Sequence, residues 1–136
     1  EKVILVKPQT FMNLSGESLR EIVNFYKIEP DHLIVVYDDI DLATGQLRIK
    51  PSGSSGTHNG MKSVIYQLQF DNFPRIRIGL GKDPNMPLAA FVISSPSSEE
   101  QKLLDAAIEN AADAVTMIVQ GEINAAMNKY NTKNAD

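Results

Sequence analysis

The residues with the clearest capacity for chemistry stand together in Ser52–Lys62, SGSSGTHNGMK, where Gly53, Gly56 and Gly60 surround His58 and Asn59. Glycines let a backbone turn sharply and approach a ligand, and N–H groups at the mouth of a helix attract anions. Histidine adds an ionisable ring, and asparagine an amide that both donates and accepts. The same spacing also fits an ordinary flexible loop, so the decision falls to what the rest of the chain brings to it. The second candidate cluster is Asp38, Asp39 and Asp41, at the carboxyl end of the apolar run Leu33–Tyr37. That end of a strand is where open α/β sheets bind ligands. Asp38, ending a hydrophobic run, is expected to be partly buried, and a carboxylate there must be paired or hydrogen-bonded. It either caps the next turn or orients and charge-stabilises an imidazole, as in a His–Asp couple. Asp39 and Asp41 fit turn chemistry; a metal site built from all three has few other clustered ligands to call on.

Asn13, in TFMNLSG, is either a local capping residue or an amide that fixes a water or a carbonyl, and Asn59 has the same two readings. Lys50 and Arg77 flank the glycine-rich loop on separate predicted strands and could clamp a phosphate from two sides, or be solvated. Met12 reads first as a packing residue, and His32 as an inert turn residue. His58 is left as the one candidate base within the sequence. The G-x-x-x-x-G-K-[ST] pattern of a Walker loop is not present, and there is no G-x-S-x-G elbow.

Elements that could position these groups follow from the pattern. Val3–Val6 (VILV) reads as a buried strand. Leu19, Ile22, Val23 and Tyr26 fall on one helical face, with Ser15 or Ser18 as N-cap. Leu33–Tyr37 and Gln46–Lys50 read as strands, Met61–Leu68 as a helix and Arg75–Leu80 (RIRIGL) as a half-exposed strand. Asp83–Pro87 reads as a loop and Ala89–Ile93 as a short strand. Ser97 and Glu100 make a capping box ahead of a helix with Leu104, Ala107, Ile108, Ala111, Val115 and Ile118 on its apolar face. Gly121 ends it, and Ile123–Tyr130 is a second helix before a polar end. Strands alternating with helices predict an α/β fold, a single three-layer domain over 1–136 with a mixed, largely parallel sheet flanked by helices.

With 136 residues, 43% of them hydrophobic and 22% charged, the chain matches an ordinary globular domain with a real core. The absence of cysteine excludes disulfides and thiolate metal sites. No apolar run approaches the roughly 20 residues of a membrane span, so the expected location is cytoplasmic, away from membranes. The net charge of −4 speaks against nucleic acid, but its distribution does not. Residues 46–82 hold Arg48, Lys50, Lys62, Arg75, Arg77 and Lys82 against Asp71 alone, between two acidic flanks. Such a segment focuses a positive field if its residues converge in space.

Three segments together, TFMNLSG (Thr10–Gly16), YDDIDLATG (Tyr37–Gly45) and GSSGTHNGMKS (Gly53–Ser63), resemble bacterial-type peptidyl-tRNA hydrolase, and RIRIGLG and Phe91–Val92 continue the match in order and spacing. The resemblance implies hydrolysis of the ester between a peptide and the 3′ ribose of tRNA, which frees tRNA for translation, with no metal or organic cofactor. It implies that Asn13 positions substrate or water, Asp38 orients the catalytic histidine, and Asn59 binds the peptide main chain or the attacking water, with His58 beside it. Lys50 and Arg77 would hold the tRNA 5′-phosphate and Met12 would line the peptide cleft. Peptidyl-tRNA is the implied partner and the full-length protein a monomer. The family's histidine motif, of the form N-P-G…Y…T-R-H-N, has no counterpart in this sequence. Its order places that motif before Glu1, in roughly fifty to sixty residues suited to a strand–helix–strand start. The expectation is therefore an N-terminally truncated hydrolase, weakly active or inactive alone, or else a non-catalytic RNA-binding relative.

Overall fold

Helix periodicity is realised where the apolar stripes lie. Helix α1 spans Ser15–Tyr26 and buries Gly16, Leu19 and Val23; helix α2 spans Asn59–Leu68 and buries Gly60, Met61, Val64 and Leu68. The computed structural model describes residues 2–56, 58–82 and 95–131. The predicted loop Asp83–Pro87, the strand Ala89–Ile93, the Phe91–Val92 match and the end beyond residue 131 lie outside the described residues. Chain contacts divide the molecule into two compact units, Glu1–Ile34 with Pro51–Pro74, and Val35–Lys50 with Arg75–Asp136.

The first unit is built on α1 against α2, with a 3₁₀ turn, Met12–Leu14, packed on both helices. Leu19 and Val23 meet a core completed by Met61, Val64, Leu68 and the fully buried Phe73. The close crossing is set at Gly16, where a Cβ would land on the Ser63 carbonyl oxygen; the Gly16 N–H instead donates to Ser63 Oγ at 2.9 Å. Neither serine caps α1 as expected. Its N-cap is Leu14, and Ser15, already helical, donates its hydroxyl back to the Met12 carbonyl at 2.8 Å. Val3–Val6 is not a strand: no ladder partner pairs with it among the described residues, and Val3, Ile4 and Leu5 are 52, 48 and 87% exposed. An apolar run specifies a strand only when a neighbour supplies the other half of its hydrogen bonds.

The second unit holds a mixed sheet in the order β1-β3-β2. Strands β1 (Val35–Asp39) and β3 (Arg75–Gly79) pair in parallel, and β2 (Leu47–Lys50) pairs antiparallel to β3. The expected strand Leu33–Tyr37 is displaced by two residues, because the parallel ladder with β3 runs on through Asp38↔Ile78 and Asp39↔Gly79. Helix α3 (Ser98–Val119) starts at the predicted capping box, with Ser97 Oγ accepting the Glu100 N–H and Glu100 accepting the Ser97 N–H. It buries Ala107, Ala111 and Ala114 and packs on β3 and on helix α4, Ile123–Tyr130. Ile108, assigned to its buried face from the sequence, is exposed. Beyond α4, Asn131 acts as a one-residue strand on the outer edge of β2. Its Oδ1 accepts the Ile49 N–H at 2.6 Å and its Nδ2 donates to the Ile49 carbonyl at 3.0 Å, which closes an edge that would otherwise offer unpaired backbone groups.

Candidate functional site

The candidate residues fall on both units, and each part is built locally. In the first unit, α2 begins two residues earlier than the apolar pattern indicates, so His58 is its N-cap and Asn59 its first helical residue. The His58 Nδ1 accepts the Met61 N–H at 3.1 Å, doing what a serine or aspartate hydroxyl or carboxylate does at most helix starts. The His58 backbone is pinned as well: its N–H donates to the Ser55 carbonyl at 3.2 Å and its carbonyl accepts the Lys62 N–H at 3.0 Å. Met12 comes to the same place from the 3₁₀ turn. A Cβ on Gly60 would stand 2.6 Å from Met12 Sδ and 2.9 Å from His58 Cε1, so thioether and imidazole meet over a bare α-carbon. Met12, Asn13 and Asn59 are exposed beside it. Two side-chain amides, a thioether and an imidazole are thus carried on two adjoining, well-anchored turns.

In the second unit the strand register sorts the charges. Directly paired residues share a sheet face, so Tyr37, Asp39, Arg75, Arg77, Arg48 and Lys50 stand on one face. Arg48 lies opposite Arg77, and Lys50 opposite Arg75. The other face carries Val36, Ile76, Ile78, Leu47 and Ile49, together with Asp38. Asp38 is therefore on the opposite face from Lys50 and Arg77. It is also exposed, not partly buried as expected, although it shares its face with the buried Leu47, Ile49 and Ile76.

The expected phosphate ligand Arg77 is engaged: its Nη1 donates to Asp39 Oδ2 at 2.7 Å, both side chains being largely buried. Its Nε is buried with no hydrogen-bond partner among the described residues. Asp39 does serve turn chemistry too, since its Oδ1 accepts the Asp41 N–H at 2.8 Å, and Asp41 pairs with Lys82 at 3.1 Å. Arg75, expected on a half-exposed strand, is 1% exposed. Burial pushes the Tyr37 phenol above its ordinary 10.0, against the opposing pull of the Arg77 and then the Arg75 charge, so it stays a neutral hydroxyl among cations. Among the described residues no group of three or more His, Cys, Asp or Glu side chains is placed to hold a metal ion.

Asp39, Tyr37, Arg48 and Arg75 were not singled out from the sequence as site residues. The i, i+2 spacing of cations in LRIK and RIRIG carried the signal for the two arginines, but which residues face each other depends on a register between segments far apart in the chain. Gly60 was visible as a glycine, not as the contact point of Met12 and His58.

An α/β fold with these motifs on the loops and strand ends defines the class. The peptidyl-tRNA hydrolase family model matches residues 1–136. The chain is 59% identical over 131 residues to a peptidyl-tRNA hydrolase of Alkaliphilus metalliredigens, covering 96% of this chain and 71% of that protein. Against one of Clostridium perfringens it is 48% identical over 136 residues, covering all of this chain and 72% of the other. The crystal structure of peptidyl-tRNA hydrolase from Acinetobacter baumannii superimposes with a TM-score of 0.84 at 36% identity, over 92% of this chain and 64% of that one. This chain belongs to the peptidyl-tRNA hydrolase family.

Proposed function

We propose that the chain serves hydrolysis of the ester bond between a peptide and the 3′ ribose of tRNA, releasing tRNA for reuse in translation. The observation that carries this reading is the β2–β3 register, which gathers Arg48, Lys50 and Arg77 on one sheet face with Lys50 exposed. Cations gathered on one face set a local positive potential that suits a polyanionic ligand. The names of the family relatives supply the reaction. In this reading Lys50 and Arg77 hold a tRNA phosphate, Met12 lines the peptide cleft with His58 beside it, and the amides of Asn13 and Asn59 orient the water and the ester carbonyl.

Asp38 orients an imidazole base and stabilises the imidazolium formed when that base takes a proton from water. The base belongs to the family's histidine motif, which this sequence does not contain, so the 136 residues alone turn over weakly or not at all. A positioned base contributes about 10²–10⁴-fold, and that is the expected gap in release of peptide from an N-blocked aminoacyl-tRNA between this chain and a form extended upstream through the histidine motif. Release by the extended form alone supports the reading. If neither form releases peptide while both bind tRNA, hydrolysis is wrong and the chain is an RNA-binding relative.

A further inference from the structure

His58 offers chemistry that its position in the motif does not reveal. A backbone N–H only donates, so the Nδ1 that accepts the Met61 N–H is the unprotonated nitrogen of the ring. In the neutral imidazole the proton then sits on Nε2. The nitrogen that could take a proton is already used in holding the helix start, and protonating it would break that bond. The backbone that carries the ring is held on both sides, its N–H by the Ser55 carbonyl and its carbonyl by the Lys62 N–H. Its Cε1–Nδ1 edge lies against Gly60, where a Cβ would be 2.9 and 3.2 Å from those two atoms, with Met12 Sδ on the same spot.

We infer that His58 works as a positioning residue and hydrogen-bond donor, a single Nε2–H tautomer that sets the first turn of α2 and with it the Asn59 amide. The kinetic part of this inference rests on the hydrolase reading; the tautomer does not. Asn59 is the residue next to the cap, so an error in the ring's placement passes directly to the amide that follows it, and misplacement of an orienting group by about 1 Å costs on the order of 10²-fold.

Two measurements test it. Long-range ¹H–¹⁵N correlation spectra of this chain are expected to show His58 with one pyrrole-type nitrogen, Nε2, and one pyridine-type nitrogen, Nδ1. An Nδ1–H tautomer, or rapid averaging between the two, overturns the inference whether or not the chain is a hydrolase. In the extended, peptide-releasing form, His58→Asn keeps both an acceptor for the Met61 N–H and a donor, so its kcat is expected to fall by about 10-fold or less, whereas His58→Ala, which loses the cap, falls further in kcat. Equal losses of about 10²-fold or more in both variants, as for a removed base, overturn it. Gly60→Ala, which forces Met12 or the ring aside, is expected to resemble His58→Ala in kcat and to blur the tautomer signature; a wild-type spectrum and rate in that variant count against the locked ring. Lack of turnover in every extended form speaks against the hydrolase reading alone, and the spectra still decide the tautomer.

Discussion

Arg77 and Lys50 have the same assigned partner but different local situations, and substitutions at them should separate in stability before they separate in binding. Arg77 neutralises Asp39 at 2.7 Å in a pair whose side chains are 22 and 13% exposed. Removing the guanidinium leaves a poorly solvated carboxylate, and Arg77→Ala is expected to cost about 1–3 kcal/mol. Lys50 is exposed on the edge strand, and Lys50→Ala should stay within about 0.5 kcal/mol of the parent. Urea denaturation of the two variants checks this; equal destabilisation would mean that the Asp39 pair is broken in solution. A tRNA-binding defect is therefore more cleanly read from Lys50→Ala. At this scale the sequence shows which chemistry-bearing residues stand together in short motifs, and not what they touch. The amides, the histidine and the cations stand in short motifs, but Asp39 meets Arg77 across 38 positions of chain, a partnership that only the parallel register creates. Strand pairing, not the local apolar run, also decided where β1 ended, so Asp38 lies inside the strand and is exposed there.

The elements whose signals are local were the legible ones. The capping box of α3 and the span of α4 appear as read, because a Ser-x-x-Glu pair and a helical stripe need no distant partner. Val3–Val6 and the start of β1 were misplaced because strand formation does need one. The joint between α3 and α4 was not visible at all: the Tyr130 hydroxyl donates to Asp113 Oδ2, and Lys129 Nζ lies 3.3 Å from the same oxygen. The Tyr130 hydrogen bond, then the Lys129 ammonium, hold the Asp113 carboxyl below its ordinary 3.8. A carboxyl with a depressed folded-state pKa contributes stability that is present above its unfolded value and is lost as pH falls through the folded one. Asp113→Asn should therefore be less stable than the parent at neutral pH, and the difference should close below pH 3.8, the ordinary value of this carboxyl. Urea midpoints of both proteins at neutral pH and in acid measure it. A constant difference across that range would show that the joint acts through packing and not through the carboxylate charge.

For the molecule as a whole, a net charge of −4 opposes a polyanion at long range, so binding depends on a face whose local potential reverses sign. The sequence located the basic segment; the antiparallel β2–β3 register is what gathers Arg48, Lys50, Arg75 and Arg77 on one side of three strands. Their contributions to a phosphate backbone are unequal. Arg75 is sealed from solvent, Arg77 shares its charge with Asp39, and Lys50 is exposed. Counting Lys50, Arg77 and Arg48 as the groups able to displace counterions, the logarithm of the tRNA association constant should fall with the logarithm of salt concentration with a slope of about −2 to −3. Lys50→Ala should reduce that slope by about one. Asp39→Asn acts in the other direction. The asparagine oxygen still accepts the Asp41 N–H, while the negative charge beside Arg77 is gone, so tRNA should bind several-fold more tightly at low salt, with the gain shrinking as the Debye length contracts to about 8 Å near physiological ionic strength. Filter binding or fluorescence titration across a salt series reads both effects. Weaker binding by Asp39→Asn at every salt concentration would reverse the assignment: the carboxylate would then be the group that aims the Arg77 guanidinium, and its lost orientation would outweigh the charge it withdraws.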